Sequence, residues 1–305
     1  MTVRSLDLLD LPFLLRYSQD ILLLDSARLL TRGNPLSATA LLSYLDPRRN
    51  LYTAVARQDE KNLMGQVFLR SGETSARLVF LAPGEQMEDL ALPLLDHLSK
   101  QAGEWGAHYL LAEVDEELPA FKFLRQAGFA MYAWQRIWKL PAFLEETDSS
   151  PWREVQESDW PSIQLLYAQI VPALLQGVEN LPRQVSGLVC VGEEGPEAYV
   201  SLLAGPAGVW LQPLVPPDLT GFTACLPGMV KAAKSGKRQI YLCVRSYQAW
   251  LEAPLEEFGA SAGPRQAIMV KRLVRTVKEE QGLPVTQPSR ISVQPSRIEQ
   301  AEAQK

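Results

Sequence analysis

From residue 52 to residue 82 the chain sets three apolar stretches, 52–57, 63–70 and 76–82, around the polar turns Asp59-Glu60-Lys61 and Ser71-Gly72. Short apolar runs bounded by turn formers read as strands. The arrangement returns at 187–192, 197–204 and 209–215, divided by Glu194-Gly195-Pro196 and Gly205-Pro206. Each third strand runs to a proline, Pro83 or Pro213, and a helical pattern follows. Another strand comes next, at 109–114 and at 241–245, and then a helix closed by Gly128 or Gly259. Glycine takes the left-handed conformation at a helix end without a Cβ penalty. A last strand finishes at Lys139-Leu140 in one case and at Lys271-Arg272-Leu273 in the other.

Two halves with one order of elements imply tandem duplication of a single α/β unit. Their openings agree residue by residue: Arg4, Asp10 and Pro12 recur as Arg153, Asp159 and Pro161, all displaced by 149. Each Asp is expected to cap a following helix, with the Pro in its first turn, where no N–H is needed. The expected domains are 1–143 and 152–278, joined by the polar linker 144–151, "LEETDSSP". From 279 to 305 the chain is polar and repeats Gln-Pro-Ser-Arg-Ile at 287–291 and 294–298, a composition that predicts a disordered tail.

Each half reads β-α-α-β-β-β-α-β-α-β, with a proline-terminated strand before a helix and a "GF" step before the last strand. In that order, and in "FKFLRQAGF" at 121–129, the chain resembles the GNAT (N-acetyltransferase) superfamily across roughly residues 3–140 and 152–273. The resemblance implies an α/β (α+β) fold of two tandem GNAT-like domains, each a mostly antiparallel, splayed sheet flanked by helices. It also implies acetyl-CoA or another acyl-CoA as co-substrate, bound where the fourth strand meets the next helix. In the family an Arg/Gln-x-x-Gly-x-Gly/Ala motif cradles the pyrophosphate there on main-chain amides.

The motif is degenerate in both halves. In the first, Gln86 and Ala91 fit its ends, but Asp89 stands at the middle Gly, and Glu85 and Glu88 add further charge. A carboxylate there repels a phosphate and favours the helix N-terminus itself. In the second half Thr220, Gly221, Thr223, Ala224 and Cys225 fall on the motif, with Lys231, Lys234, Lys237 and Arg238 downstream. This half is the less hostile to a phosphate. The family's general-acid Tyr, four residues before the GF glycine, is Leu124 here and Leu255 in the second half. An Asn common seven residues earlier is Glu117 or Gln248. Glu113 remains a candidate base beside the splayed strands, and Tyr241 and Tyr247 are alternative acids.

Composition narrows the partners. The 305 residues carry a net charge of -5 and 47% hydrophobic residues, the make-up of a globular chain. The acidic balance argues against nucleic acid. With three scattered cysteines (Cys190, Cys225 and Cys243) and two histidines, no metal site is expected, and a cytoplasmic location is. Apolar runs such as 13–15 and 21–24 are broken by charges, so no membrane partner is expected. Two functions remain open. One is an acyl-CoA-dependent N-acyltransferase with at most one active domain, more readily the second, and a small-molecule or peptide amine as acceptor. The other is a catalytically inactive GNAT-fold protein that binds a partner or metabolite. The sequence leaves the oligomeric state open.

Overall fold

Hydrogen bonding joins every strand among the described residues of the computed structural model into one sheet. The structure describes residues 1–7, 10, 16–17, 19–36, 50–84, 89–141, 150–181, 186–193, 195–219, 221–233 and 236–273. Most of the expected linker and all of the expected tail lie outside them. So do Gln86, Thr220 and Lys234.

The first half contributes β1 (Thr2–Ser5), β2 (Leu22–Leu23), β3 (Asn50–Gln58), β4 (Lys61–Leu69), β5 (Ser75–Ala82), β6 (Tyr109–Val114) and β7 (Ala130–Lys139). Its helices are α1 (Ser26–Arg32), α2 (Ala91–Glu104) and α3 (Pro119–Gln126). The second half contributes β8 (Trp152–Glu154), β9 (Gly187–Gly192), β10 (Gly195–Ala204), β11 (Gly208–Leu214), β12 (Gln239–Arg245) and β13 (Ser261–Arg272). Its helices are α4 (Trp160–Ile170), α5 (Phe222–Ala232) and α6 (Glu252–Glu257).

Strand order across the sheet is β1-β3-β4-β5-β6-β13-β7-β12-β11-β10-β9-β8, with β2 added alongside β5. Read from the two edges inward, the halves follow the same order, and their last strands cross over. β13 pairs with β6 of the first half, and β7 pairs with β12 of the second. At the centre β7 and β13 run antiparallel with Gln135 opposite Gln266, each seven residues beyond the glycine that closes the preceding helix. An approximate two-fold therefore passes between these two glutamines. Because the closing strands are exchanged, Met1–Arg275 form one compact unit.

The sheet is antiparallel except at two matched places. β5 runs parallel to β6 only from Ser75–Arg77 against Tyr109–Leu111, and β11 to β12 only from Gly208–Leu211 against Gln239–Leu242. Beyond those pairs the strands part, leaving a gap in each half. On one face Leu78 of β5 packs with Leu94, Leu95 and Leu98 of α2. In the second half Leu211 of β11 packs in the same manner with Leu226 and Met229 of α5. α4 buries Ile163, Leu166 and Ile170 against Val189, Tyr199 and Leu214.

Each half also lends a segment to the other. The end of α1 rests on the β10–β11 turn, where Ala207 N–H donates to the Thr31 carbonyl at 2.9 Å. Backbone approaches glycine here: a Cβ on Gly205 would lie 2.1 Å from the Thr31 oxygen, and one on Gly208 would lie 2.6 Å from that of Leu30. In return, the turn at 172–181 crosses to the first half, where Ser75 Oγ donates to the Val178 carbonyl at 3.3 Å and Asn180 Nδ2 to Thr74 Oγ1 at 2.5 Å. Gly205→Ala is expected to destabilise the protein by about 1–3 kcal/mol, the usual cost of overpacking. Urea unfolding measures it, and an unchanged midpoint would contradict the close approach.

The repeated Arg and Asp form one clamp twice. Arg4 bonds Asp10 through both Nη atoms at 2.6 and 2.8 Å, and Arg153 bonds Asp159 at 2.7 and 2.7 Å. In each, one carboxylate oxygen also accepts a backbone N–H three residues earlier, from Asp7 at 2.9 Å or Gln156 at 2.8 Å. The expected helix cap is not what Asp159 provides. Its side chain turns back to the Gln156 N–H and the guanidinium and makes no cap bond to α4. Pro161 does fall in the first turn. The Arg hydrogen bonds hold both carboxylates below their ordinary pKa of 3.8. A carboxylate depressed in the folded state stabilises above its unfolded pKa, and that stabilisation disappears as pH falls through the folded value. Asp159→Asn is therefore expected to cost about 1–2 kcal/mol at neutral pH. The cost should shrink below the ordinary carboxylate range, as urea midpoints measured across the acid limb would show.

Candidate binding site

A strand that separates from its neighbour exposes backbone groups, and an extended ligand would be bound through them. Both gaps in this sheet are occupied by the chain itself. In the first, β2 pairs with the end of β5, Leu22 with Leu81 and Leu23 with Phe80. The next residue spans the opening: Leu24 N–H donates to the Val79 carbonyl at 2.9 Å, and the Leu24 carbonyl accepts from Glu113 N–H at 2.9 Å. In the second gap a side chain takes up the free edge of β11 and its continuation. Gln248 is fully buried; its Oε1 accepts from Val215 N–H at 3.1 Å and its Nε2 donates to the Pro213 carbonyl at 2.9 Å.

The helix starts beside these gaps hold the residues of the degenerate motif. Asp89 keeps the left-handed backbone (φ 57°) that a glycine would adopt, and Ala91 is the buried first residue of α2. In the second half Gly221 (φ 76°) precedes α5, and its carbonyl already accepts from Ala224 N–H at 3.0 Å. Thr223 Oγ1 donates to Glu257 at 3.4 Å, and the Cys225 carbonyl accepts from Trp152 Nε1 at 3.0 Å. Asp218 and Glu197 line the recess beside them with Pro216 and Leu219. Lys231 lies in the last turn of α5, nine residues or about 14 Å along the helix from Phe222. Arg238, farther on, donates to the Gly205 carbonyl at 3.0 Å. These cations stand at the end of the helix away from the motif.

The candidate catalytic groups are also engaged. Glu113 is 2% exposed; one oxygen accepts Ser26 N–H at 2.9 Å and the other meets Arg77 at 3.4 Å. Leu124 and Leu255, at the places of the family's acid, are buried in the two cores. Tyr241 stands in β12 with its ring against Gly208. Burial pushes the Tyr247 phenol well up. Burial likewise raises the Cys190 and Cys243 thiols to about 12, which leaves them protonated. Among the described residues no three His, Cys, Asp or Glu side chains gather as metal ligands, and no helix is long and apolar enough to cross a membrane.

What the sequence reading passed over is a polar groove on the face opposite α2 and α5, lined by both halves. One stretch, of about 120 Å³ of water-accessible space, is lined by Arg77, Tyr132, Glu179, Arg245 and Tyr247 among others. A second, of about 180 Å³, adjoins it and shares Glu73, Ser75, Arg77, Asn180, Ser201 and Gln212. Arg245 and Glu179 are buried, and the Arg245 Nε lies 3.1 Å from Glu179 Oε1. Tyr132 Oη and Gln212 Nε2 donate to the same carboxylate at 2.9 and 3.3 Å. Arg245 also donates to Gln135, whose Nε2 donates to Gln266 at 2.8 Å. Burial raises the pKa of Asp25, opposed by Arg77 and reinforced by Glu113.

No family model matches the chain, and no curated protein matches it in sequence. Solved structures match it in fold. A GCN5-related N-acetyltransferase from Sphaerobacter thermophilus superposes with a TM-score of 0.54 at 13% identity, over 89% of this chain and 95% of its own. A Pyrococcus horikoshii protein assigned as an acetyltransferase gives 0.52 at 11% identity, over 90% and 89%. The likeness runs through both halves. The chain has the fold of the GNAT acetyltransferases, a mixed α/β architecture with a large sheet flanked by helices.

Proposed function

We propose that the protein is a duplicated GNAT-fold binding protein that takes a small polar metabolite in the groove between its halves and does not transfer acyl groups from CoA. The observation that carries this reading is that both strand gaps are occupied from within, the first bridged by Leu24 and the second by Gln248 taking up the free edge of β11. An extended cofactor would have to displace backbone bonds at the first gap and a fully buried amide at the second. Asp89 beside the first helix start, and Asp218 before the second with Glu197 of β10 across the same recess, support the same conclusion, because like charge next to a phosphate is unfavourable. The groove, by contrast, is open and lined with polar groups from both halves.

Calorimetric titration with acetyl-CoA, together with thermal unfolding in its presence, tests the reading. Neither heat nor stabilisation is expected. Saturable binding that Thr223→Asp abolishes would overturn it and restore the acyl-CoA-dependent transferase, with the second half as its working domain and an amine as acceptor.

A further inference from the structure

We infer that the groove binds a small organic oxyanion, a carboxylate or phosphate carried on an apolar body, with Arg77 as its central anchor. The inference rests on the groove being the binding site, and it adds the chemistry of what enters.

Arg77 stands where the two stretches of groove meet. Among the described residues its guanidinium makes one hydrogen bond, to Glu113 at 3.4 Å, and its side chain is 30% exposed. A guanidinium has five N–H donors in a planar fork, so most of them remain for a ligand. Glu113 and Asp25 are buried and hold the charge in place from the protein side. Arg245, by comparison, is 4% exposed and its charge is already paired with Glu179, so little of it reaches the groove.

Beyond Arg77 the larger stretch is lined by Arg28, Arg32 and Arg70 as well, with Asp25 and Glu73 in the same wall, Glu73 against Arg70 and Glu113 against Arg77. Several guanidiniums along one wall give an oxyanion more than one fork to meet. Arg28 lies over the Phe68 ring at 4.5 Å, and Phe68, Leu203 and Trp210 supply apolar wall to the same stretch. Charge and wall together select an oxyanion with an apolar or aromatic body, since the planar fork matches carboxylate and phosphate in two-pronged fashion. The combined space falls near the lower limit of ~300–1,000 Å³ for small-molecule sites, which favours a compact ligand.

The experiment uses the full chain at low ionic strength, with benzoate, phenyl phosphate, inorganic phosphate and acetyl-CoA as separate probes in titration calorimetry. Benzoate or phenyl phosphate is expected to bind, and the tighter of the two identifies the oxyanion. Ser201→Phe fills the groove without changing its charge and should abolish that binding while the thermal transition stays cooperative. Arg77→Lys keeps the charge but loses the fork and should weaken binding about tenfold or more, the equivalent of one charged hydrogen bond. The inference is overturned if neither aromatic probe binds, if binding survives Ser201→Phe, or if inorganic phosphate binds as tightly as phenyl phosphate. The acetyl-CoA arm separates the two ideas. Acetyl-CoA binding that survives Ser201→Phe would sink the non-transferase reading and leave the oxyanion groove standing.

Discussion

Arg245→Met is expected to destabilise the protein by about 3–5 kcal/mol, as seen when one partner of a buried ion pair is removed. Arg245 and Glu179 are 4% and 8% exposed, so neither charge can turn to bulk water when the other is lost. The remaining donors to Glu179, from Tyr132 and Gln212, are neutral and supply only part of what the guanidinium gives. The pair also joins the halves, because Arg245 in β12 bonds Gln135 in β7 while Glu179 lies in the turn that crosses to the first half. Glu179→Gln should cost a comparable amount, since the amide still accepts from Tyr132 but the Arg245 guanidinium is left buried without its counter-charge. Replacing both residues with apolar ones should recover much of the loss, since a buried pair often adds little over well-packed side chains. A double-mutant cycle in urea reads the coupling directly. Strict additivity of the two single losses would show that the pair does not act as a unit.

The repeated order of strands was legible because each strand is a local apolar run with its own turn signals. The displacement of 149 marks the Arg and the Asp in both halves but not their pairing: the pattern predicts a helix cap, and in the structure the carboxylate takes the arginine fork instead. The exchange of β7 and β13 left no local trace, because which strand a closing strand pairs with depends on long-range register and not on its own pattern. The groups that occupy the gaps were hidden for different reasons. Leu24 acts through its backbone, which carries no residue-type signal. Gln248 was noted as a departure from the family's Asn, and its bonds to β11 became visible only with the fold. The groove's best signal was available and went unused. Arg77 and Arg245 sit within or at the end of the apolar runs 76–82 and 241–245, and a charge in a buried strand requires a partner or a ligand.

Gln248→Ala is expected to cost about 2–6 kcal/mol, because it leaves the Val215 N–H and the Pro213 carbonyl without their partner in a buried place, at about 1–3 kcal/mol each. A more specific test separates lost packing from lost hydrogen bonds. Gln248→Glu keeps the shape but changes what the side chain can offer. As a carboxylate it accepts the Val215 N–H but cannot donate to Pro213; protonated, it can do both. Burial with a carbonyl neighbour raises the pKa of such a group above its unfolded value, so the native state binds more protons between the two values. Stability then falls as pH rises through that window. The Gln248→Glu protein should therefore lie well below wild type at neutral pH and approach it as pH drops toward the unfolded carboxyl range, about 4.3. Gln248→Ala should show no such recovery. Urea midpoints of the three proteins between neutral and acidic pH decide the matter. Parallel pH profiles for the Glu and Ala variants would mean that Gln248 merely fills space, and its hold on the free edge of β11 would lose its support.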